Sequence, residues 1–191
     1  MAQDRETLKS SVSKSLAAGA QHLSVQERNL VHLSSKKLEG RQRQITATIQ
    51  IPRSLESVWQ ILTDYDGLAT FIPNLTKSKR LPHPAGGIRL EQIGAQCFLN
   101  IQFCARVVLD MYERFPHELG FKMVEGDFKL FQGAWRLTHL GTEEHPVTQL
   151  SYELLVQPPL AMPMALIESH LRSNLSENLT AIRQRAVAFA R

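Results

Sequence analysis

Residues 101–114 read IQFCARVVLDMYER, and this stretch decides the fold class. Its odd-numbered positions are apolar from Ile101 to Met111, whereas polar side chains such as Gln102, Arg106 and Asp110 occupy even-numbered positions. This period of two predicts one long β-strand with an apolar face on a core and a polar face in water. Such a strand belongs to an antiparallel sheet, so the rest of the chain must supply further strands and a layer that covers the apolar face.

The same alternation recurs on both sides of this stretch. We expect about seven antiparallel strands, over residues 44–51, 75–81, 88–93, 101–114, 119–123, 131–137 and 150–156. Apolar residues at helical spacing interrupt them only after the first strand, and predict two short helices over about 54–63 and 68–72. The polar segment 75–81 is expected at a sheet edge, and residues 95–100 stay open between strand and turn.

One apolar stripe marks the end of the chain. After Pro163 the apolar residues step by three or four, at Met164, Ile167, Leu171, Leu175, Leu179, Ile182, Ala186 and Phe189. This spacing predicts a helix over about 163–189, roughly 40 Å long. We therefore expect an α+β fold in which a curved antiparallel sheet wraps around a long C-terminal helix, with two short helices after the first strand.

The first 40 residues differ in composition from the rest. They contain no Phe, Trp, Tyr or Ile, and residues 1–44 hold eight Lys and Arg against four Asp and Glu. The net charge of +4 lies entirely there, because the remaining 14 basic and 14 acidic residues balance. Such a composition predicts that residues 1–40 are a basic tail, disordered or loosely helical, ahead of a folded domain over 41–191.

This distribution of charge limits the partners. A folded domain with balanced charge lacks the basic surface of a dedicated nucleic-acid-binding protein, so we expect no DNA partner. The tail is either a solubilising segment, which we favour, or a peripheral contact with an anionic membrane, RNA or the ribosome. The run Lys77, Lys79 and Arg80 is either a local basic patch or a solvated strand edge. Two cysteines cannot form a disulfide framework, which fits a reducing, cytoplasmic location.

Residues with catalytic chemistry are few and scattered in this sequence. Neither the spacing of metal-binding His and Cys nor a phosphate-binding glycine loop occurs, so we expect no metal and no cofactor. An enzyme would need a buried acid or base, for which the candidates are Asp64, Arg106, His139 and Tyr152. We assign no catalytic residue from the sequence.

Two stretches resemble those of a known family. They read LTDYDGLATFIPNL at residues 62–75 and EGDFKLFQGAWRL at residues 125–137. Together with the order of elements, they resemble the START-like (SRPBCC) polyketide cyclase/dehydrase and lipid transport family, which includes coenzyme-Q-binding START proteins. The resemblance covers about residues 42–188 and implies the helix-grip fold with an apolar pocket. Coenzyme-Q-binding members carry an aromatic residue and a Trp-Cys pair where this chain has Leu68 and Asn74-Leu75.

A ligand cavity is expected between the sheet and the long helix, because a helix across a curved sheet does not fill the concave space completely. Gly133 is expected to leave room beside Trp135, since both lie on one face of a predicted strand. The expected lining residues, each alternatively an ordinary core residue, are Phe71, Phe103, Val107, Leu109, Phe121, Met123, Gly133, Trp135, Tyr152 and Met164.

Three functions are compatible with the sequence. We favour a non-catalytic carrier of a hydrophobic small molecule, for which the resemblance implies an isoprenoid quinone, a lipid or a similar compound. The second is a cyclase or dehydratase acting on an enclosed polyketide-like substrate. The third is an interaction module that engages the ribosome or another protein.

Overall fold

The computed structural model describes residues 30–98, 101–161 and 164–188, and their side chains except at 95–98, 101–103 and 165–172. A one-turn 3-10 helix, Leu68–Thr70, lies between the first α-helix and the third strand of this part of the chain. The other elements are β1 (His32–Lys37), β2 (Arg43–Ile51), α1 (Leu55–Thr63), β3 (Leu75–Leu81), β4 (Ile88–Phe98), β5 (Ile101–Arg114), β6 (Glu118–Gly126), β7 (Leu130–His139), β8 (Thr148–Gln157) and α2 (Met164–Ala188).

All eight described strands form one antiparallel sheet in the order β1-β2-β8-β7-β6-β5-β4-β3. After β2 the chain crosses through α1 to the far edge and returns strand by strand until β8 pairs with β2. The polar strand β3 lies at a sheet edge, as its sequence predicted. The predicted α+β class is therefore confirmed, with a C-terminal helix packed on an open sheet.

One strand lies in the segment that composition assigned to the tail. β1 pairs with β2 from His32 opposite Thr48 to Lys37 opposite Arg43. The segment HLSSKK has no apolar alternation, because an edge strand is held largely by backbone hydrogen bonds to its neighbour. The predicted tail is therefore wrong for residues 32–37, and the strand number is eight rather than about seven; residues 1–29 lie outside the described residues.

The two predicted short helices differ in kind. α1 begins after Ser54, whose hydroxyl accepts a hydrogen bond from the Ser57 backbone nitrogen at 3.3 Å. The second predicted helix, over 68–72, is only the single turn Leu68–Thr70. Pro73 explains the difference, since a residue before proline is disfavoured in the α conformation.

Strand pairing assigns residues 95–98 of the open segment to β4, while residues 99 and 100 lie outside the described residues. β4 continues to Phe98, well beyond the predicted end at residue 93, and β5 starts at Ile101 as expected. Ala95 lies opposite Cys104 and Cys97 opposite Gln102. The two cysteines therefore belong to neighbouring strands, Cys97 to β4 and Cys104 to β5.

The long helix packs on β2 through its apolar stripe. Leu175, Leu179, Ile182 and Ala186 are buried, together with the inward-facing residues of β2. Arg53 lies in the turn after β2, and its guanidinium donates to the carbonyl oxygens of residues 186 and 187 at 3.1 and 2.9 Å. These two hydrogen bonds hold the end of α2 against that turn. The helix thus packs against β2 and α1, and a cavity remains between it and the other strands, where the site described next lies.

Candidate functional site

A cavity of about 220 Å³ lies between the concave face of the sheet and α2. Much of its wall is aliphatic, from Leu90, Leu109, Leu119, Leu175 and Ile182. The sheet also contributes aromatic rings, and the segment before β3 closes one side. The cavity therefore lies where the geometry of a helix on a curved sheet predicted one.

Four aromatic rings form a continuous wall of this cavity. Trp135 of β7 lies opposite Tyr152 of β8, and their ring centres are 4.3 Å apart. The Tyr152 ring is nearly parallel to that of Phe121, at 5.7 Å and 13°, and Phe121 is in turn 5.7 Å from Phe131. Such contacts hold the rings in defined positions, so this wall is pre-formed.

The Tyr152 hydroxyl is a polar group inside this aromatic wall. Only 7% of the residue is exposed, and none of the described residues forms a hydrogen bond with its hydroxyl. Burial raises the pKa of Tyr152 well above its usual value, because the phenolate would lose its hydration. The phenol is therefore neutral at physiological pH and keeps its proton for donation.

Tyr65 is the second tyrosine of the lining, and its hydroxyl is already engaged. It donates a hydrogen bond of 2.6 Å to the Glu113 carboxylate, and the Arg80 guanidinium lies 4.9 Å from its ring centre. Burial, and after it the bond to Glu113, raise the pKa of Tyr65. Ser78 donates to the Tyr65 carbonyl oxygen at 2.5 Å, so Tyr65 is fixed at both its backbone and its hydroxyl.

Carboxamides line the side of the cavity next to α2. Asn74 donates to the Glu177 carboxylate at 3.1 Å. The Asn178 amide is oriented so that both its oxygen and its nitrogen have suitable neighbours. In this orientation its nitrogen donates to the Asn174 and Pro73 carbonyl oxygens at 3.2 and 3.1 Å. These bonds tie the turn before β3 to α2, so one wall of the cavity depends on them.

Ionised groups are absent from the described lining. Apart from the two tyrosines, its polar residues are uncharged amides. Charged residues gather elsewhere on the strands: Arg106 bonds Glu91 at 2.7 Å and Glu125 at 2.5 Å. Hydrogen bonds from Lys77 and Arg106 lower the pKa of Glu91. Arg106, Glu91 and Glu125 therefore lie on the strands but outside the cavity lining.

Four of the predicted lining residues meet at the cavity, namely Leu109, Phe121, Trp135 and Tyr152. Val107 is buried in the core, and Met123 packs half-buried against it, but neither contributes to the cavity wall. Met164, the first residue of α2, is half-buried and does not line the cavity either. The Phe103 side chain lies outside the described residues.

Phe71 lies in a different place from the one predicted. It borders a second, outward cavity of about 240 Å³ between α1 and the end of α2. The Arg185 guanidinium lies 5.6 Å from its ring centre. The 3-10 turn directs Phe71 away from the main cavity, while its neighbour Ile72 lines that cavity.

The expected room beside Gly133 does not exist. A side-chain carbon at this position would overlap the Glu153 carbonyl oxygen and lie 2.8 Å from the end of the Phe121 ring. Gly133 is therefore a point of close approach between β7, β8 and a ring from β6. The cavity owes its volume to the separation of sheet and helix, not to this glycine.

Three of the four candidate catalytic residues lie away from the cavity. Asp64 and His139 are exposed, and Asp64 borders the second cavity. Arg106 is engaged in its ion pairs with Glu91 and Glu125. Of the four, Tyr152 alone lines the main cavity.

Several residues that line the cavity were not predicted as lining residues from the sequence. Leu175 and Ile182 were predicted only as the buried stripe of the helix, although they cover the cavity. Asn174 and Asn178 flank that stripe at a spacing of four, a signal from which a polar margin could have been predicted. Tyr65 lay within the motif of residues 62–75, yet its inward direction depends on the bend after α1.

Among the described residues, no cluster of three or more His, Cys, Asp or Glu side chains could hold a metal ion. None of the described helices combines the length and the apolar character needed to cross a membrane.

The protein is thus of the α+β class, with an open antiparallel sheet that packs on a C-terminal helix and an apolar cavity between them. The sequence profile of the polyketide cyclase/dehydrase and lipid transport family matches residues 51–183, and the chain belongs to this family. No curated protein matches the sequence.

Solved structures share the fold at low sequence identity. A START superfamily protein from Mycobacterium smegmatis has a TM-score of 0.64 at 16% identity, over 77% of this chain and 99% of its own. The Zhui aromatase/cyclase of a Streptomyces species has a TM-score of 0.64 at 17% identity, over 78% and 96%. A STAR-related lipid transfer protein from Xanthomonas axonopodis has a TM-score of 0.62 at 12% identity, over 82% and 93%.

Proposed function

We propose that this protein is a non-catalytic carrier that binds a hydrophobic small molecule in the cavity between the sheet and α2. The observation that carries the proposal is the cavity itself, which is pre-formed, walled by aliphatic and aromatic side chains, and lined by a few uncharged polar groups. Sites for small apolar ligands have this composition.

The ligand class we propose is an isoprenoid quinone, a lipid or a similar compound. Family membership supports a hydrophobic ligand, and the lipid transfer protein with the same fold is consistent with one. The aromatic wall suits a flat ring such as that of a quinone, since stacked and tilted ring contacts are favourable. The volume of about 220 Å³ encloses a head group of one or two rings, so a long isoprenoid tail would have to leave through an opening.

A cyclase or dehydratase is the second candidate, because a protein of the same fold is described as an aromatase/cyclase. It has less support, since Asp64, Arg106 and His139 lie outside the cavity and the Tyr152 pKa is raised. The interaction-module alternative depends on the basic tail, which lies mostly outside the described residues.

Tryptophan fluorescence tests the proposal with a matched pair of variants. Of the two tryptophans, Trp135 lines the cavity, while Trp59 packs edge-on against Phe115 at 5.5 Å and does not. Duroquinone is a suitable probe, because its fully substituted ring resists addition of the exposed Cys104 thiol. We expect saturable quenching in Trp59→Phe, where Trp135 is the reporter, and little quenching in Trp135→Phe.

Equal quenching in both variants, or quenching that rises linearly without saturation, would contradict binding at this site. Organic extraction of the purified full-length protein, followed by mass spectrometry, adds a test that presupposes no ligand. A neutral apolar compound at near one equivalent would support the carrier, and a covalently altered substrate on incubation with polyketide-like compounds would favour the enzyme.

A further inference from the structure

Tyr152 combines three properties that are seldom found together in a protein interior. It is 7% exposed, its ring is held between those of Trp135 and Phe121, and its hydroxyl has no hydrogen-bond partner among the described residues. Buried polar groups nearly always have a partner, so an exception calls for an explanation.

The two tyrosines of the cavity differ in the hydrogen bonding of their hydroxyl groups. Both tyrosines line the cavity, but the Tyr65 hydroxyl is bonded to Glu113, whereas the Tyr152 hydroxyl is not bonded by any residue described. No buried tyrosine oxygen in the described part is sealed off without a partner, so the Tyr152 oxygen borders open space. Tyr152 lines the cavity, so a molecule bound there can supply an acceptor for its hydroxyl.

We propose that Tyr152 is a specificity-determining residue that donates a hydrogen bond to an acceptor oxygen of a compact, neutral ligand. This inference rests on the proposed carrier function and names the chemistry of the ligand: a ring system with a carbonyl or similar oxygen, rather than a plain hydrocarbon or a carboxylate.

The donor role follows from protonation and from the surroundings. Burial keeps the phenol protonated, so it can donate to a ketone or quinone oxygen at physiological pH. A carboxylate would exchange its hydration for a lining whose described residues provide no cation, which disfavours fatty acids. A hydrocarbon would leave the hydroxyl without an acceptor and would gain nothing from it.

A matched pair of probes measures what the carbonyl oxygen of a ligand contributes to binding. α-Tetralone is a bicyclic ketone, and tetralin has the same skeleton without the carbonyl oxygen. Affinities of both for the full-length protein and for Tyr152→Phe are measured by equilibrium dialysis. We expect Tyr152→Phe to bind α-tetralone roughly 3- to 10-fold more weakly, the range expected for one neutral hydrogen bond, and to bind tetralin as well as the unchanged protein does.

Two further measurements separate this role from a structural one. The carbonyl stretch of bound α-tetralone should lie at lower frequency in the unchanged protein than in Tyr152→Phe, because only the former donates to it. The melting temperature of the ligand-free variant should be unchanged or higher, since the mutation removes a buried hydroxyl that forms no hydrogen bond with any described residue. A fall in melting temperature with equal affinities would assign Tyr152 a packing role and overturn the inference.

The outcomes also distinguish this inference from the carrier proposal. If both probes bind and Tyr152→Phe changes neither, the carrier stands and the role of Tyr152 is refuted. If tetralin carboxylate binds more tightly than α-tetralone, the neutral-ligand inference is refuted. If none of the probes binds and no apolar compound is extracted from the protein, both proposals fail.

Discussion

Asn74 donates a hydrogen bond of 3.1 Å to the carboxylate of Glu177, and this bond joins the turn before β3 to the middle of α2. Asn74 also has a backbone φ of 63°, in the left-handed region that asparagine and glycine tolerate better than other residues. The same turn forms part of the cavity wall. One residue therefore serves both the turn geometry and the closure of the site.

Substitution of Asn74 should separate these two effects. Asn74→Gly loses only the hydrogen bond, whereas Asn74→Ala loses the bond and adds backbone strain, so we expect Ala to cost about 1–2 kcal/mol and Gly less. Both variants should release duroquinone faster in stopped-flow fluorescence. Glu177→Gln, which keeps an acceptor oxygen, is the control and should behave like the unchanged protein. Release rates equal in all variants would show that this turn does not limit ligand exit.

The strand β1 should contribute to stability, although composition assigned its residues to a tail ahead of the folded domain. Val31 and Leu33 pack half-buried on the core, and β1 covers the edge of β2. We expect a chain that begins at Arg41 to lose about 1–3 kcal/mol, or roughly 3–10 °C in melting temperature. A chain that begins at Leu30 is the control and should have the same melting temperature as the full-length protein. Identical melting of both shortened chains would mean that β1 adds no stability.

Gly133 should be intolerant of any side chain. Its Cβ would collide with the Glu153 carbonyl, so we expect Gly133→Ala to lower the free energy of unfolding by about 2–4 kcal/mol. Gly120 offers the matched control on the adjacent strand, because a Cβ there would have its nearest neighbour at 3.7 Å. Urea unfolding should find Gly120→Ala within about 1 kcal/mol of the unchanged protein. Equal effects of the two substitutions would contradict the close approach at Gly133.

The two buried tyrosines should make stability fall at high pH. Their pKa values are raised in the folded protein, so above pH about 10 the unfolded chain loses protons that the folded protein keeps. Stability should therefore be constant below that pH with respect to these groups and fall above it by about 1.4 kcal/mol per pH unit for each tyrosine. Urea unfolding of Tyr152→Phe and Tyr65→Phe at several pH values should show a shallower fall in each. An unchanged slope in both would mean that the phenols ionise freely in the folded protein.

The sequence alone indicated most elements of the fold, because burial of one face leaves a period in the chain. The strand of residues 101–114 and the C-terminal helix were predicted almost to their observed ends. β1 was missed because a polar edge strand is specified by its partner's backbone and carries little periodic signal. The second helix was reduced to one turn by Pro73, a signal present in the sequence.

For the site, the sequence determined which faces of the strands and of the long helix are apolar, and therefore that a cavity would lie between them. Only the tertiary structure decided which of those apolar residues border the cavity: it places Tyr152 and Trp135 there, turns Phe71 outward, and fills the space at Gly133 with the Glu153 carbonyl and the Phe121 ring. The physical reason is that periodicity reports the buried side of one element, whereas strand register and helix position determine which buried atoms meet. No described residue forms a hydrogen bond with the Tyr152 hydroxyl, and this depends on how the elements meet, so it becomes visible only in the folded protein.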